Sequence, residues 1–511
     1  MEDLLAQVSL QERINLFHLY DAVVVCYRIN FKLIMFVRKL PYIIYRAYPQ
    51  NGYLTDNRNF GYDTATKSCI KVGDLLLSNE GSIFYSFLEE EHQTVDEIAA
   101  RLLNVFKGVK YEVLREDAMA FYNELSKRGF IVCDTEMRDN FQFPSYFSYE
   151  NTTPFLLDLQ SGSCANFEDF SNDYNLSRIH IDISSHCNEN CVHCYIPSKN
   201  KCSMMSEEVF DRVLEQCISM NVLNITLSGG EPMLNPLLKS FLLKCREANF
   251  SINILSNLTC LSDELLEVII SNPLISIQTS LYAMQEEIHD SITRNKGSYK
   301  KTLTSIMKLH ECNIPMQINC PIMKQNRHCY QDVLDFAQSL NVEASSDYSL
   351  FGCYDKSEEN LECRINPPDV LEILDKDCRN ENKLKDMVQS IDAKRVNDTD
   401  SICSVCKSSL CISNNGDVYP CEGWQQMILG NVISSSLKYI WEDAPLTKHL
   451  RELKYQDFVE CRICHNRKYC TTCLIMNANE KNGDYMSINP YMCELAKIKK
   501  SVLEKVQNNN E

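Results

Sequence analysis

Three cysteines near the middle of the chain have a spacing that suits metal chemistry. Cys187, Cys191 and Cys194 form a C-x3-C-x2-C pattern directly after the strand-like run IHIDIS (179–184). Three thiolates are one short of a closed structural zinc site, which takes four ligands. They suit a four-iron cluster in which one iron keeps an open position for a ligand. The alternatives are a zinc site with a distant fourth ligand, or three cysteines without a shared role.

A second motif ends the next strand-like run along the chain. Gly229, Gly230 and Glu231 stand in the text LSGGEP (227–232), after NITLS (224–228). Glycines at a strand end allow close approach of a ligand to the backbone, and a Glu carboxylate accepts hydrogen bonds from an amine. Alone, this text is equally typical of an ordinary turn.

The two motifs together resemble the radical S-adenosylmethionine (SAM) superfamily, in CNENCVHCY (187–195) and LSGGEP, with a resemblance that covers about residues 177–350. It implies that the three cysteines hold a [4Fe–4S] cluster whose open iron chelates SAM. Reductive cleavage of SAM then yields a 5′-deoxyadenosyl radical that abstracts a hydrogen atom. The implied SAM-binding residues are Gly229, Gly230 and Glu231 at the methionine amino group, Tyr195 near the adenine, Ser256 and Asn257 at the ribose, and Ser280 and Arg294 at the carboxylate. For those outside the two motifs, the alternative is an ordinary polar residue at a strand end.

The C-terminal part of the chain is rich in cysteine, and the whole chain has 26. Its paired C-x2-C units alone are equally typical of zinc sites. Beside the preceding motifs, the tail resembles the SPASM domain, which carries two auxiliary [4Fe–4S] clusters. The resemblance assigns Cys403, Cys406, Cys421 and Cys473 to auxiliary cluster I, and Cys461, Cys464, Cys470 and Cys493 to auxiliary cluster II. One departure is that two residues, not three, separate Cys470 from Cys473.

Two further residues of the tail lie close to these cysteines in sequence. Glu422 directly follows Cys421, and an acidic residue at this place is a proton acceptor in some SPASM relatives. The alternative for Glu422 is a solvated loop residue. Cys411 is left over by the cluster assignment, and we interpret it as a packing residue in a strand.

The elements that must position these motifs alternate between strands and helices. The runs predict six strands with five intervening helices at about 204–220, 236–248, 261–271, 298–311 and 328–340. The strand-like runs are 179–184, 224–228, 251–256, 275–280, 316–322 and 342–350. This order predicts an α/β fold, a partial (β/α)6 TIM-like barrel, with its chemistry at the C-terminal strand ends.

The front of the chain predicts a separate, winged helix-turn-helix-like α+β domain. Thr94 and Glu97 form a capping-box pattern, and a second amphipathic helix ends before Gly129. Residues 49–140 resemble the RiPP recognition element, a module that binds the leader of a ribosomally made precursor peptide. With 10 basic and 16 acidic side chains, this segment has a net charge of −6, which disfavours binding to DNA. The remaining alternative is a docking domain that only stabilises the barrel.

Length and composition give the rest of the organisation. We expect an N-terminal segment of unclear role (1–48), the recognition domain (49–140), a linker (141–176), the barrel (177–395) and a Cys-rich iron–sulfur domain (396–511). The net charge of −18 makes nucleic acid a poor partner. No secretory signal and no membrane span are visible, which predicts a cytoplasmic chain with reduced thiols.

The sequence therefore predicts a radical SAM enzyme that modifies a precursor peptide held by its leader. A thioether or another crosslink is the expected product, and a flavodoxin or ferredoxin is the expected reductant. The closest rival is an anaerobic sulfatase-maturing enzyme, in which we expect no leader-binding domain. A rival of another class is a non-catalytic zinc adaptor.

Overall fold

The computed structural model describes residues 34–49, 51–62, 72–137, 175–377, 381–392 and 396–509. Two compact units are present. The first comprises Met1–Asp56 and Cys69–Cys164, and the second comprises Asn57–Ser68 and Ala165–Glu511. The predicted linker lies almost wholly outside the described residues, as do residues 1–33. None of the described helices is both long and apolar enough to cross a membrane.

The first unit has two antiparallel three-stranded sheets. One sheet has the order β5-β1-β6 and the other has the order β2-β3-β4. Their strands are β1 (Phe36–Lys39), β2 (Ile43–Ala47), β3 (Asn51–Asp56), β4 (Asp74–Ser78), β5 (Gln93–Thr94) and β6 (Ile131–Asp134). Because β1 pairs with β6, which lies far along the chain, the folded unit begins before residue 49, where the sequence analysis placed the start of the domain.

Three helices complete the first unit, at Asn79–Ser86 (α1), Val95–Leu102 (α2) and Tyr111–Lys127 (α3). The predicted capping box is present, since the Thr94 side chain accepts from the Glu97 N–H and the Glu97 side chain accepts from the Thr94 N–H. Gly129 follows α3 with a positive φ of 80°, as expected for a residue that ends a helix. The structure has the two predicted helices, α2 and α3, and one helix that was not predicted, α1, while the winged helix assignment remains a prediction.

The second unit is built on a nine-stranded sheet with the order β12-β11-β10-β9-β8-β7-β13-β14-β15. Neighbours from β7 to β12 pair in parallel, which confirms the α/β fold. These six strands are β7 (Arg178–Ser184), β8 (Asn224–Gly229), β9 (Ser251–Leu255), β10 (Ile275–Ser280), β11 (Met316–Asn319) and β12 (Glu343–Ser345). The alternate apolar residues of β7 to β11 are buried in one continuous core.

The helices that pack on this sheet agree with the predicted ones within a few residues. They are α4 (Glu207–Ser219), α5 (Leu238–Glu247), α6 (Asp263–Ser271), α7 (Glu286–Thr293), α8 (Ser298–Glu311) and α9 (Tyr330–Ser339). The sequence analysis did not predict α7. Two more helices precede the Cys-rich tail, α10 (Pro367–Asp377) and α11 (Glu381–Asp392).

The Cys-rich tail shares the sheet and the core of the barrel. Its first strand, β13 (Ser409–Ile412), pairs in parallel with β7, and β14 (Asp417–Tyr419) and β15 (Gly430–Asn431) follow in antiparallel order. The helices of the tail are α12 (Leu437–Glu442), α13 (Pro445–Glu452), α14 (Val459–Arg462), α15 (Leu474–Glu480) and α16 (Pro490–Asn509). Many buried residues of the tail, among them Leu410, Ile412 and Val418, belong to the core of the barrel, while Tyr469, Ala496 and Leu503 form a separate small cluster.

Candidate functional site

The three motif cysteines lie in the loop that leaves the C-terminal end of β7. They border a cavity of about 230 Å³. The loop, the end of β8, the end of β9 and the end of β10 all contribute to its wall. Lining residues are Cys187, Glu189, Cys191, His193 to Ile196, Lys201, Ser228 to Gly230, Leu255 to Asn257, Gln278 to Ser280 and Tyr282. The C-terminal strand ends therefore converge on the cysteines, as the barrel prediction requires.

The two glycines of LSGGEP allow β8 to end directly against the strand that carries the cysteine loop. Gly229 has a φ of 121°, and an added Cβ would lie 1.9 Å from the Ser184 carbonyl oxygen. An added Cβ at Gly230 would lie 2.5 Å from the His186 oxygen. The Gly230 N–H donates to Ser184 O at 2.6 Å, and the Glu231 N–H donates to His186 O at 2.9 Å. These N–H groups therefore bind the residues at the C-terminal end of β7, and the two hydrogen bonds fix the start of the cysteine loop.

Glu231 is fully buried, and its carboxylate organises the end of β9. It accepts from the Ser256 hydroxyl at 2.7 Å, from the Asn257 N–H at 2.8 Å and from the Met233 N–H at 2.9 Å. Burial raises the pKa of Glu231 to about 7, against the opposing effect of these hydrogen bonds. Glu231 does not line the cavity, although Gly229, Gly230, Ser256 and Asn257 do. The contact of Glu231 with the SAM amino group stays a prediction, while in the structure its carboxylate binds the residues that follow β8 and β9.

The chemistry of the cysteine loop fits an iron–sulfur cluster. Cys187 Sγ accepts from the Glu189 N–H at 3.4 Å, and burial raises the pKa of the Cys187 thiol to about 11. Ligation therefore requires proton release from buried thiols. Two polar atoms lining the cavity, Glu189 Oε1 and His193 Nδ1, are buried without a hydrogen-bond partner among the described residues. Orphaned polar atoms beside three thiols are what a site built for a bound polar group presents.

The remaining predicted SAM-binding residues divide into two groups. Tyr195 and Ser280 line the cavity, and the Tyr195 ring packs on Phe351 with centroids 5.2 Å apart. Arg294 is exposed at the C-terminal end of α7, has a left-handed backbone with φ 53°, and does not line the cavity. The structure therefore does not bring Arg294 to the site, and its contact with the SAM carboxylate stays a prediction.

Electrostatic contacts relate the thiols of the tail cysteines in two sets, and their assignment as cluster ligands stays a prediction. After the larger effect of burial, the neighbouring thiols of Cys473 and Cys403 raise the pKa of Cys421. The Cys403 thiol likewise raises the pKa of Cys473 and of Cys406. Cys473 belongs to this group despite the shortened spacing after Cys470. The left-handed backbone of Cys406, with φ 57°, turns the loop at this point.

The second group is equally distinct. Burial and the nearby thiols of Cys470, Cys493 and Cys464 raise the pKa of the Cys461 thiol. Burial and the nearby thiols of Cys470 and Cys464 also raise the pKa of Cys493. Cys493 stands in the first turn of α16, so this helix brings the last cysteine of the chain to the group. Across the described part of the chain, no three His, Cys, Asp or Glu side chains are close enough to hold a single metal ion.

Glu422 lies between two thiols of the tail. Its Oε2 accepts from the Cys421 thiol at 3.3 Å and lies 4.0 Å from Cys411 Sγ. Cys411 is buried on β13, and the charges of Glu422 and Asp182 raise the pKa of its thiol, after the larger effect of burial. Cys411 is therefore buried, as we expected for a packing residue, but its thiol lies near acidic side chains as well as apolar ones.

A polar network on β7 extends this region. Asp182 accepts from the Tyr419 hydroxyl and from Gln425 Nε2, the latter at 2.7 Å, and His180 Nε2 lies 3.1 Å from its other oxygen. The charge of Asp182 also raises the pKa of Tyr195, after burial. Asp182 thus connects the cavity side of the barrel with the tail hairpin.

The sequence analysis missed several lining residues. Glu189 lies inside the cysteine motif, and burial raises its pKa to about 7. His193 and Tyr282 form a ring contact with centroids 5.2 Å apart, and Gln278 lies two residues before Ser280. Of these residues, only Gln278 could have been predicted from the sequence. Side chains alternate along a strand, so Ser276, Gln278 and Ser280 share one face of β10.

Two segments of the chain match models of known protein families. Residues 181–337 match the Radical SAM superfamily, and residues 403–473 match the SPASM iron–sulfur cluster-binding domain. The first match covers the cysteine loop and LSGGEP. The second begins at Cys403 and ends at Cys473.

Individual proteins show the same relationship. The AdoMet-dependent heme synthase of Methanosarcina barkeri is 25% identical over 61% of this chain and 94% of its own length. The antilisterial bacteriocin subtilosin biosynthesis protein AlbA of Bacillus subtilis is 23% identical over 58% of this chain and 67% of its own length. The crystal structure of Streptococcus suis SuiB bound to precursor peptide SuiA aligns with a TM-score of 0.55 and 16% identity, over 89% of this chain and 99% of that one.

Proposed function

Since the chain is an enzyme built from a radical SAM domain and a SPASM domain, we propose that it modifies a ribosomally made precursor peptide. The proposed products are a thioether or another crosslink within that peptide. The observation that carries the proposal is a fold likeness to SuiB that extends over 89% of this chain, and so beyond the barrel and the tail. Relatives that include the subtilosin protein support the same class of substrate.

The cofactors are SAM, the [4Fe–4S] cluster that binds it and the iron–sulfur clusters of the SPASM domain. When bound and reduced, they supply a 5′-deoxyadenosyl radical that abstracts a hydrogen atom from the substrate. We assign Cys187, Cys191 and Cys194 as the ligands of the first cluster. The two groups of tail cysteines are the proposed ligands of the auxiliary clusters.

The surrounding residues of this chain have separate proposed tasks. Gly229, Gly230, Ser256, Asn257 and Ser280 form the wall against which SAM binds. Glu231 holds Ser256 and Asn257 in place through its hydrogen bonds. In this proposal the Glu231 carboxylate determines the position of the cavity wall without contacting SAM itself.

Glu422 is the proposed proton acceptor. It is exposed, so it can exchange protons, and it lies beside Cys421 and Cys411. A base at this position accepts a proton from the substrate after the hydrogen atom has been removed. An external flavodoxin or ferredoxin is the proposed source of electrons.

The first unit is the proposed site of leader binding, by addition of a strand beside the edge strand β4. Within the described residues, β3 pairs with both β2 and β4, and β4 pairs with β3 alone. Leu76 on β4 is 47% exposed, whereas Ile43 and Ile44 on the opposite edge strand β2 are buried. An edge strand with an exposed leucine suits an incoming peptide strand that carries apolar side chains.

The test uses the full chain, reconstituted without oxygen, with SAM, a reductant and a set of candidate precursor peptides. We expect the peptide mass to fall by two hydrogens per crosslink, and fragment masses then locate the bond. Leu76→Lys should weaken leader binding, measured by fluorescence anisotropy, because a charge replaces an apolar contact. Leu243→Lys is the matched control, since Leu243 is 52% exposed on α5 of the other unit.

Three results would contradict the proposal. One is an unchanged peptide mass while SAM is still cleaved. Another is formylglycine on a sulfatase-derived peptide, which would favour the sulfatase-maturing alternative. A third is equal loss of leader binding in Leu76→Lys and Leu243→Lys, which would remove β4 as the binding edge.

A further inference from the structure

Residues 57–62 follow β3 along the chain but group with the barrel. Asn57 Nδ2 donates to Pro273 O at 3.2 Å, just before β10 begins. Asn253 Nδ2 on β9 donates to Phe60 O at 3.0 Å, and the Arg178 guanidinium at the start of β7 lies 5.5 Å from the centre of the Phe60 ring. These contacts place the segment at the N-terminal ends of the strands, away from the cysteine loop.

The last described residue of this segment contacts a side chain that lines the cavity. The Tyr62 hydroxyl donates to Gln278 Oε1 at 2.7 Å. Gly61 permits this approach, because an added Cβ would lie 2.8 Å from Ser276 Oγ. Gln278 lies on β10 between Ser276 and Ser280, and it lines the cavity together with Ser280. A contact between residues 216 apart in sequence thus reaches the wall of the SAM site.

The direction of this hydrogen bond determines what Gln278 offers to the cavity. A glutamine amide has one acceptor oxygen and an NH2 group with two donors. Tyr62 occupies the oxygen, so the NH2 group is the part available to a ligand. Burial, followed by the charge of Glu343, raises the pKa of Tyr62 to about 12, so its hydroxyl remains a donor at neutral pH.

We propose that Tyr62 is a positioning residue that orients Gln278 so that its amide N–H groups donate to an oxygen of SAM. SAM carries such acceptors in its carboxylate and its ribose hydroxyls. Gln278 is about 7 Å closer than Ser280 to the start of β10, so it contacts a part of the ligand that the strand ends do not reach. The proposal adds a determinant of SAM affinity outside the two family motifs.

The test measures SAM affinity by anaerobic calorimetric titration of the full reconstituted chain, with the cluster oxidised so that SAM is not cleaved. Tyr62→Phe removes only the hydroxyl, and we expect the Kd for SAM to rise about three- to tenfold, as for the loss of one neutral hydrogen bond. Gln278→Met, which keeps the length of the side chain, should raise the Kd by a similar factor. The double variant should bind no more weakly than Gln278→Met, because Tyr62 acts through Gln278.

Asn57→Ala is the matched control, since it removes an anchor of the same segment that does not touch Gln278. We expect its Kd to stay within twofold of the parent value. Iron content and thermal melting of each variant show whether it has folded. If Gln278→Met does not fold, Tyr62→Phe and Asn57→Ala still decide the question.

The proposal would be overturned by an unchanged Kd in Tyr62→Phe. Equal weakening in Asn57→Ala would also overturn it, because the segment would then act only as a structural support. Effects that multiply in the double variant would show that Tyr62 does not act through Gln278. Because every measurement uses SAM alone, the outcome does not depend on whether the substrate is a peptide.

Discussion

Replacement of Gly229 by alanine tests whether LSGGEP fixes the position of the cysteine loop that follows β7. Gly229 has a φ of 121°, and its added Cβ would lie 1.9 Å from Ser184 O, whereas ordinary contact begins at 3.4 Å. The C-terminal ends of β7 and β8 must therefore separate by about 1.5 Å in the variant. That shift would stretch the Gly230 N–H to Ser184 O bond from 2.6 Å to about 4 Å, beyond hydrogen-bond distance. The positive φ adds about 1–3 kcal/mol of backbone strain.

The expected result is loss of the cluster that binds SAM, because the displaced residues lead directly into Cys187. Iron per chain should fall by about four after anaerobic reconstitution, and SAM binding should be lost. Gly297→Ala is the matched control, since Gly297 has a φ of 85° but no atom within 4 Å of an added Cβ. It carries the backbone strain without the clash, and we expect full iron content. Normal iron and SAM affinity in Gly229→Ala would refute the reasoning.

Two further predictions concern the tail and the carboxylate behind the site. Cys473→Ala combined with Cys403→Ala should lose about four irons, whereas Cys473→Ala combined with Cys470→Ala should lose about eight. Cys312→Ala is the control, because Cys312 is exposed and outside both groups. A loss of about eight irons in the variant that lacks Cys473 and Cys403 would contradict the grouping. Because the pKa of Glu231 is raised from 4.5 to about 7, its stabilising contribution is complete below pH 4.5 and is lost as the pH rises through 7. The free energy of unfolding should therefore fall by about 3 kcal/mol more in the parent than in Glu231→Gln between pH 4.5 and pH 8. Denaturant titrations check this, and parallel pH profiles would contradict it.

Much of the barrel was predictable from sequence because buried parallel strands are short apolar runs separated by amphipathic helices. IHIDIS, NITLS and ISIQTS each lie within one residue of an observed strand. The short helix α7 was missed because MQEEIHDSIT follows β10 without a clear capping residue, and its N-cap, Gln285, makes no side-chain capping bond. The pairing of β13 with β7 joins residues more than 200 apart, which no local pattern indicates.

The site shows the same division. The resemblance to the SPASM domain gave the two groups of tail cysteines, because spacing alone does not connect Cys403 with Cys473, 70 residues later. The hydrogen bonds of Glu231 to Ser256 and Asn257 were not predictable, because they depend on how β8 and β9 pack. Arg294 also depends on tertiary structure: its position after β10 suggested a ligand contact, and the structure places it exposed at the end of α7.

The central claim is tested most directly by one anaerobic sample in which iron, sulfide, zinc and 5′-deoxyadenosine are measured per chain, with and without a precursor peptide. The account predicts about twelve irons, matching sulfide, and 5′-deoxyadenosine formed in proportion to modified peptide. Zinc without iron, and no 5′-deoxyadenosine after reduction, would contradict it.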